Sequence, residues 1–218
     1  MTKVYYANHR RQSITRYLLA GLIFLLSLST FAQDSIFIKV HFLYGSKPHR
    51  KHRDTEGKWF GGKLGGHVGI ETDSNRILDF NPLGKFHYIA KRNDRNSCFA
   101  VHTPEDFWEI FGGNAEDMKK TSVVVPLTPS QKAEFDSIYK VYTAQTPYDY
   151  AFIGMRCGAA AYDILGKLGI MKELSYRKTY LKIFYPKKLR RRLLKKARKN
   201  NWQVIRQEGT NRRKWERE

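Results

Sequence analysis

The chain has 218 residues, 41% of them hydrophobic and 14% aromatic. That length suits one domain of ordinary size, and the apolar content is enough for a real core, which excludes a chain that stays unfolded on composition alone. The 40 Lys and Arg against 20 Asp and Glu give a formal net charge of +20, which points to an anionic partner such as a membrane surface or nucleic acid.

The N-terminus sets the expected compartment. Lys3, Arg10, Arg11 and Arg16 stand without an acid among them, and YLLAGLIFLLSLSTFA (17–32) then carries no charge. A basic start, an apolar run and small residues at Thr30 and Ala32 predict a signal peptide over 1–32, cleaved after Ala32. The apolar run is short for a spanning helix, which needs about 20 residues; an uncleaved N-terminal anchor is the competing reading. No cysteine follows the cut, so a lipoprotein signal is excluded. The expectation is an exported protein, periplasmic or envelope-associated, with a folded domain over 33–185 and a basic helix and tail over 186–218.

SIFIKVHFLY (35–44) alternates Ile36, Ile38, Val40 and Phe42 on one parity and predicts a strand. Residues 45–65 read as a long loop. His49, His52 and Asp54 there match no zinc spacing, so a solvated loop is expected rather than a metal site. Trp59 and Phe60 could wall a cleft or simply tack the loop to the core.

GGHVGIETDSNRILDF (65–80) predicts a hairpin. Val68, Ile70, Leu78 and Phe80 share the core face, while His67, Gly69, Glu71, Ile77 and Asp79 share the other. With the turn centred on Asp73, His67 lies directly across from Asp79. A carboxylate there fixes one imidazole nitrogen and frees the other to act as a base. Taken alone, a polar cross-strand contact explains the pair equally well.

SCFAVHT (97–103) and SVVVPL (122–127) predict further strands, and PEDFWEIF (104–111) one or two helical turns. In 128–145, Thr128, Pro129 and Gln131 form a capping box at the head of a helix, with Phe135, Ile138 and Tyr142 on one face. TPYDYAFIGM (146–155) reads as an aromatic loop, and CGAAAYDILGKLG (157–169) as a helix packed closely through small residues.

The chain's two cysteines are Cys98 and Cys157. In an oxidising compartment they could form one disulfide, but their surroundings differ. Cys98 lies inside a predicted strand and reads as structural. Cys157 opens a helix, where the dipole favours the thiolate and backbone N–H groups can form an oxyanion hole. The alternative for Cys157 is a small buried hydrophobe.

A histidine strand, an aspartate and then a helix headed by cysteine is the reverse of the papain order. HVGIETDSNRILDFNP, VVVPLTPSQKAEF, TPYDYAFIGMRC followed by GAAAYDIL, and FYPKKL together resemble the circularly permuted papain-like fold of the NlpC superfamily, with its YiiX/YaeF-like and lecithin:retinol acyltransferase-like groups. The resemblance covers about residues 62–190. It implies an α+β fold in which a small antiparallel sheet packs against the nucleophile-bearing helix. It makes Cys157 the nucleophile, His67 the base and Asp79 the orienting group. Where many relatives place a polar residue after the cysteine this chain has Gly158, and Arg156 precedes it where several carry Asn or Tyr.

The chemistry implied is an acyl-enzyme formed on amide or ester bonds of cell-envelope peptides or lipids. No cofactor, neither zinc nor nucleotide, is suggested. The alternative is a non-catalytic envelope binding module of the same fold. The stretch 185–218 holds 14 Lys and Arg against 3 Glu. Pro186 can start a helix there, with Leu189, Leu193 and Ala197 on one face. That stripe is expected to dock the helix, with its other faces solvated or in contact with an anionic membrane surface. Nucleic acid is disfavoured, since no binding motif is present.

Overall fold

The computed structural model describes residues 36–57, 65–72, 75–85, 87–93, 95–110 and 113–218. The signal peptide expected over 1–32, and Trp59 and Phe60, lie outside the described residues. Ile36–Glu218 forms one compact unit.

The architecture is mixed α+β around a six-stranded antiparallel sheet. Its strands are β1 (Phe37–Tyr44), β3 (Gly66–Glu71), β4 (Ile77–Pro82), β6 (Ser97–His102), β7 (Lys120–Pro126) and β9 (Val204–Gln207), in the order β6-β4-β3-β1-β7-β9. Two small sheets flank it. In one, β2 (Ser46–Pro48) pairs with β10 (Arg213–Trp215); in the other, β5 (His87–Ile89) pairs in parallel with β8 (Ala151–Ile153). The helices are α1 (Pro104–Trp108), α2 (Pro129–Ala144), α3 (Cys157–Lys167), α4 (Tyr176–Lys182) and α5 (Pro186–Lys199).

Strand parity builds the core as expected. Ile38, Val40, Phe42, Val68, Ile70, Leu78 and Phe80 share one sheet face with Val123 and Val125, and helix residues such as Phe135, Ala160, Ile164 and Leu193 cover them. Thr128 caps α2 with both halves of the capping box in place, and Phe135, Ile138 and Tyr142 are its buried residues. The small residues of α3 let it lie close on β3 and β4 and against α5.

The second sheet face is different. Leu43 and Ile77 pack there with Met118 and with Phe107 from α1. Around them sits a buried polar network. His41 Nδ1 is 2.6 Å from Ser122 Oγ and its Nε2 is 2.7 Å from Glu71 Oε2, while Lys39 reaches the other Glu71 oxygen at 2.5 Å.

Gly69 makes this face possible. It stands opposite His41 on one side and Asp79 on the other, and the space its missing side chain leaves is filled by Phe107. A Cβ there would sit 2.4 Å from Ile77 Cγ2 and 2.6 Å from Phe107 Cε2. Both neighbours are fully buried. Gly69→Ala is therefore expected to destabilise the fold by about 1–3 kcal/mol through overpacking, read as a lower urea midpoint with an unchanged m-value.

Several elements depart from the sequence expectation. The aromatic loop 146–155 contains the short strand β8, and the loop over 45–65 contains β2 and a 3-10 turn at Arg50–His52. The C-terminal segment 186–218 docks its helix through the apolar stripe, as expected, and also supplies two strands that its charge gave no sign of. Its helix packs on β1, β3, β7 and α3, β9 closes one edge of the main sheet, and β10 pairs with β2. The cause is the apolar stripe Pro186, Leu189, Leu193 and Ala197, all buried, with Arg190 buried beside it.

Candidate active site

The hairpin brings His67 and Asp79 together, but through a different register from the one expected. Gly69, not His67, is the direct partner of Asp79. The turn is closed by Thr72 N–H donating to Arg76 C=O at 2.9 Å, with Asn75 in the left-handed region at φ 56°. A left-handed residue at this place is what a three-residue hairpin loop needs. It moves the pairing by two residues, so parity is kept and His67 is the diagonal neighbour of Asp79. Diagonal neighbours remain within reach of long side chains, and Gly69 puts no side chain between them. His67 Nε2 thus meets Asp79 Oδ2 at 2.5 Å.

Asp79 is almost wholly buried and has three polar neighbours. Asn81 Nδ2 donates to Oδ2 at 2.9 Å, and His102 Nε2 stands 3.2 Å from Oδ1. Burial opposes the carboxylate's charge, but His102, His67 and Asn81 more than compensate and hold its pKa below the usual range. The same contact pushes the pKa of His102 up. His102 comes from β6, where it pairs with Ile77 and so shares the face of Asp79.

Cys157 is the first residue of α3 and is 4% exposed. Arg156 before it has extended backbone and makes no capping hydrogen bond to the helix, so the first N–H groups are not satisfied by an N-cap side chain. The Cys157 thiol is hydrogen-bonded to the His67 ring. Since Nε2 of that ring is held by Asp79, Nδ1 is the nitrogen left for sulfur. Burial alone would raise the thiol pKa. The His67 imidazolium, the Arg156 guanidinium and the Gly158 backbone N–H reverse this and bring it below the ordinary thiol value. Burial likewise pulls His67 down, but the Cys157 thiolate and the Asp79 carboxylate push it well above an ordinary histidine. Each partner favours the charged form of the other, as in a thiolate–imidazolium pair.

Cys98 is the internal contrast. It lies on β6 as expected, is a free thiol like Cys157, and has its pKa raised by burial and by the nearby Asp79 charge. The disulfide considered from composition is not formed.

Two parts of the site escaped the sequence reading. One is His102. The other is Tyr150, a buried tyrosine whose hydroxyl hydrogen-bonds to both the sulfur and the backbone N–H of Cys157. Burial and the sulfur's charge keep the phenol protonated far into alkaline pH. A neutral phenol beside the nucleophile is a hydrogen-bond donor for charge that develops on a substrate oxygen.

Gly158 also acquires a reason. A Cβ on it would lie 3.0 Å from Pro186 Cα, so the start of α5 passes too close to the nucleophile helix for a side chain. Arg156 is not a free surface arginine. It donates to Phe184 C=O and its guanidinium lies 3.7 Å from the centre of the Phe184 ring. Phe107 flanks His67, ring centroids 5.7 Å apart, and keeps that site apart from the His41–Glu71 network.

Among the described residues no group of three His, Cys, Asp or Glu side chains is placed to hold a metal ion. Comparison with protein-family models, with curated proteins and with solved structures gives no match.

Proposed function

We propose that this protein is a cysteine hydrolase or acyltransferase of permuted papain-like fold, acting through an acyl-enzyme on amide or ester bonds of cell-envelope peptides or lipids. One observation carries the reading. A buried thiol at a helix start, its pKa depressed, is hydrogen-bonded to a histidine whose other nitrogen rests on a buried carboxylate at 2.5 Å. A structural cysteine needs none of these partners, and Cys98 has none of them.

In this reading the Cys157 thiolate attacks the substrate carbonyl carbon and forms the C–S bond. The oxyanion is stabilised by Tyr150 and by backbone N–H groups at the head of α3. His67, as imidazolium, gives its Nδ1 proton to the leaving amine or alcohol as the carbonyl re-forms. Water or another acceptor then loses a proton to His67 and attacks the acyl-enzyme, and the thiolate departs. Asp79 holds Nε2–H throughout, which fixes the tautomer and supports the imidazolium.

The charge-free run behind a basic N-terminus supports export to the periplasm or envelope, with cleavage after Ala32. Among the described residues no helix is long and apolar enough to cross a membrane. The lysines and arginines on the outer side of α5 support contact with an anionic surface through 186–218.

The test is site-resolved labelling with an iodoacetamide alkyne. Cys157 is expected to label near neutral pH at least tenfold faster than Cys98, and His67→Ala is expected to remove the difference. Equal, slow labelling of both cysteines in the folded protein would overturn catalysis and leave the non-catalytic binding module.

A further inference from the structure

The small parallel sheet of β5 and β8 carries an exposed apolar surface that the catalytic proposal does not use. Tyr88 is 68% exposed, Ile89 63%, Ile153 40% and Phe152 36%. Isolated apolar residues on a surface need no explanation, but a contiguous group does. Tyr88 and Phe152 lie together on one face of this two-stranded ribbon, and Ile89 pairs with Ile153 on the other, so both faces of the tip are apolar. Tyr88 stacks on Phe152 with ring centroids 5.4 Å apart, and Phe152 meets Phe184 edge to face at 5.4 Å. The Arg156 guanidinium then lies over Phe184, and Cys157 follows in the chain. An aromatic track therefore runs from a solvent-exposed tip to the residue beside the nucleophile.

The tip is held firmly. Asp149, itself buried, accepts from His87 Nδ1 at 2.7 Å, from the Lys91 backbone N–H at 3.0 Å and from the Asn96 backbone N–H at 2.7 Å. One carboxylate thus pins the β5 segment to the loop that leads into the nucleophile helix. An apolar group held out in water by a buried, hydrogen-bonded carboxylate costs hydration free energy that a partner would recover.

The charge around it says what kind of partner. Segments 83–92 and 150–156 contain no Asp or Glu, and Lys85, Lys91 and Arg92 are exposed there; the chain from Tyr176 to Gln207 also contains no acid. Exposed aromatic and aliphatic side chains ringed by cations match the interfacial zone of an anionic bilayer, where rings sit at headgroup level and Lys and Arg pair with lipid phosphates. A protein partner with an acidic rim would fit the charge, but the site already faces a chemistry that includes lipid esters.

We infer that the β5–β8 tip, with Tyr88, Ile89, Phe152 and Ile153 as the inserting residues, docks this protein on an anionic phospholipid bilayer and opens the Cys157 site toward an acyl-bearing lipid held in that bilayer. The apolar tip and its cations stand on the surface alone; the choice of a bilayer over an acidic protein, and the lipid substrate, rest on the thiol chemistry proposed above. This contact uses other residues than the cationic side of α5, which adds attraction at longer range but has none of the exposed large apolar side chains.

Hydrogen exchange of the full chain on vesicles tests the docking. With phosphatidylglycerol-containing vesicles, amides in 83–92 and 150–156 are expected to gain protection, and with pure phosphatidylcholine vesicles to gain little. Tyr88→Ser and Ile89→Ser, both at exposed positions, are each expected to weaken binding to the anionic vesicles about tenfold, and rising salt to weaken it further. The Cys157→Ala protein is expected to dock like the wild type, so a failure of docking and a failure of the thiol chemistry give separate results. Protection confined to 1–35 or to 186–199, or binding that both tip variants leave unchanged, overturns the proposal.

Discussion

Replacing Asp79 by asparagine is expected to slow alkylation of Cys157 at neutral pH by on the order of tenfold or more, and to slow turnover of an acyl substrate by about 10²–10⁴-fold, while the protein stays folded. The reason lies in what Asp79 does to His67. The carboxylate oxygen at 2.5 Å can only accept, so it keeps a proton on Nε2 and leaves the Nδ1 lone pair facing sulfur. An asparagine amide can donate to Nε2 instead. The proton would then sit on Nδ1, and the ring could no longer take one from the thiol.

The pH profile carries the sign of the same effect. The reactive thiolate–imidazolium pair exists above the Cys157 pKa, which is lowered, and below the His67 pKa, which is raised. The wild-type plateau therefore extends below the ordinary thiol range at its acid end and above the ordinary histidine range at its alkaline end. Loss of the Asp79 charge removes part of the support for the imidazolium. The His67 pKa falls, the Cys157 pKa rises, and the plateau contracts from both ends. Alkylation of Cys157 follows the thiolate and reads the acid limb, while turnover of an acyl substrate, which also needs the imidazolium proton, reads the alkaline limb. An unchanged profile in Asp79→Asn would show that the carboxylate does not act through His67. His102 shares the carboxylate from its other side, so its protonation draws on the same charge and belongs in any fit of the profile.

Some of this site was legible before any coordinates, and the reasons are specific. Strand parity has a period of two, so apolar Val68, Ile70, Leu78 and Phe80 forced His67 and Asp79 onto one shared face whatever the turn. The register was not legible in the same way. It depends on Asn75 taking a left-handed conformation, and it moved the pair from directly opposed to diagonal without changing face. Cys157 could be read because the dipole and free N–H groups of a helix start are local properties. Tyr150 and His102 could not. Tyr150 is near Cys157 in sequence, but only the turn between β8 and α3 folds it back onto the sulfur, and His102 arrives through the sequence-distant β4–β6 pairing. In 186–218 the apolar stripe that docks the helix was legible, but β9, β10 and the burial of Arg190 were not. A run of lysines and arginines reads as solvated, and nothing local announces that one of the arginines, Arg190, is wholly buried.

That buried arginine sets the largest stability effect expected in the molecule. Arg190 Nη2 donates to Glu216 Oε2 at 2.9 Å, and its guanidinium lies 3.7 Å from the centre of the Tyr44 ring. Neither Nε nor Nη1 makes a hydrogen bond to a described residue. Glu216 is the counter-charge, and it is held in place because its backbone N–H donates to Gly45 C=O beside the β2–β10 pair. Glu216→Ala is expected to leave a cation buried without its partner and to cost about 3–5 kcal/mol. For a domain of this size that lowers the thermal midpoint by on the order of 10 °C. Replacing both residues by apolar ones, Arg190→Met with Glu216→Leu, removes the charge together with its counter-charge and is expected to recover most of the loss, since a buried ion pair exchanged for well-packed apolar groups is often close to neutral. Thermal unfolding of Arg190→Met, Glu216→Leu and the double variant, beside Glu216→Ala, completes the cycle. Were 186–218 an appended basic tail, Glu216→Ala would leave the midpoint where it is; a large fall, reversed in the double variant, is the result that the buried pair requires.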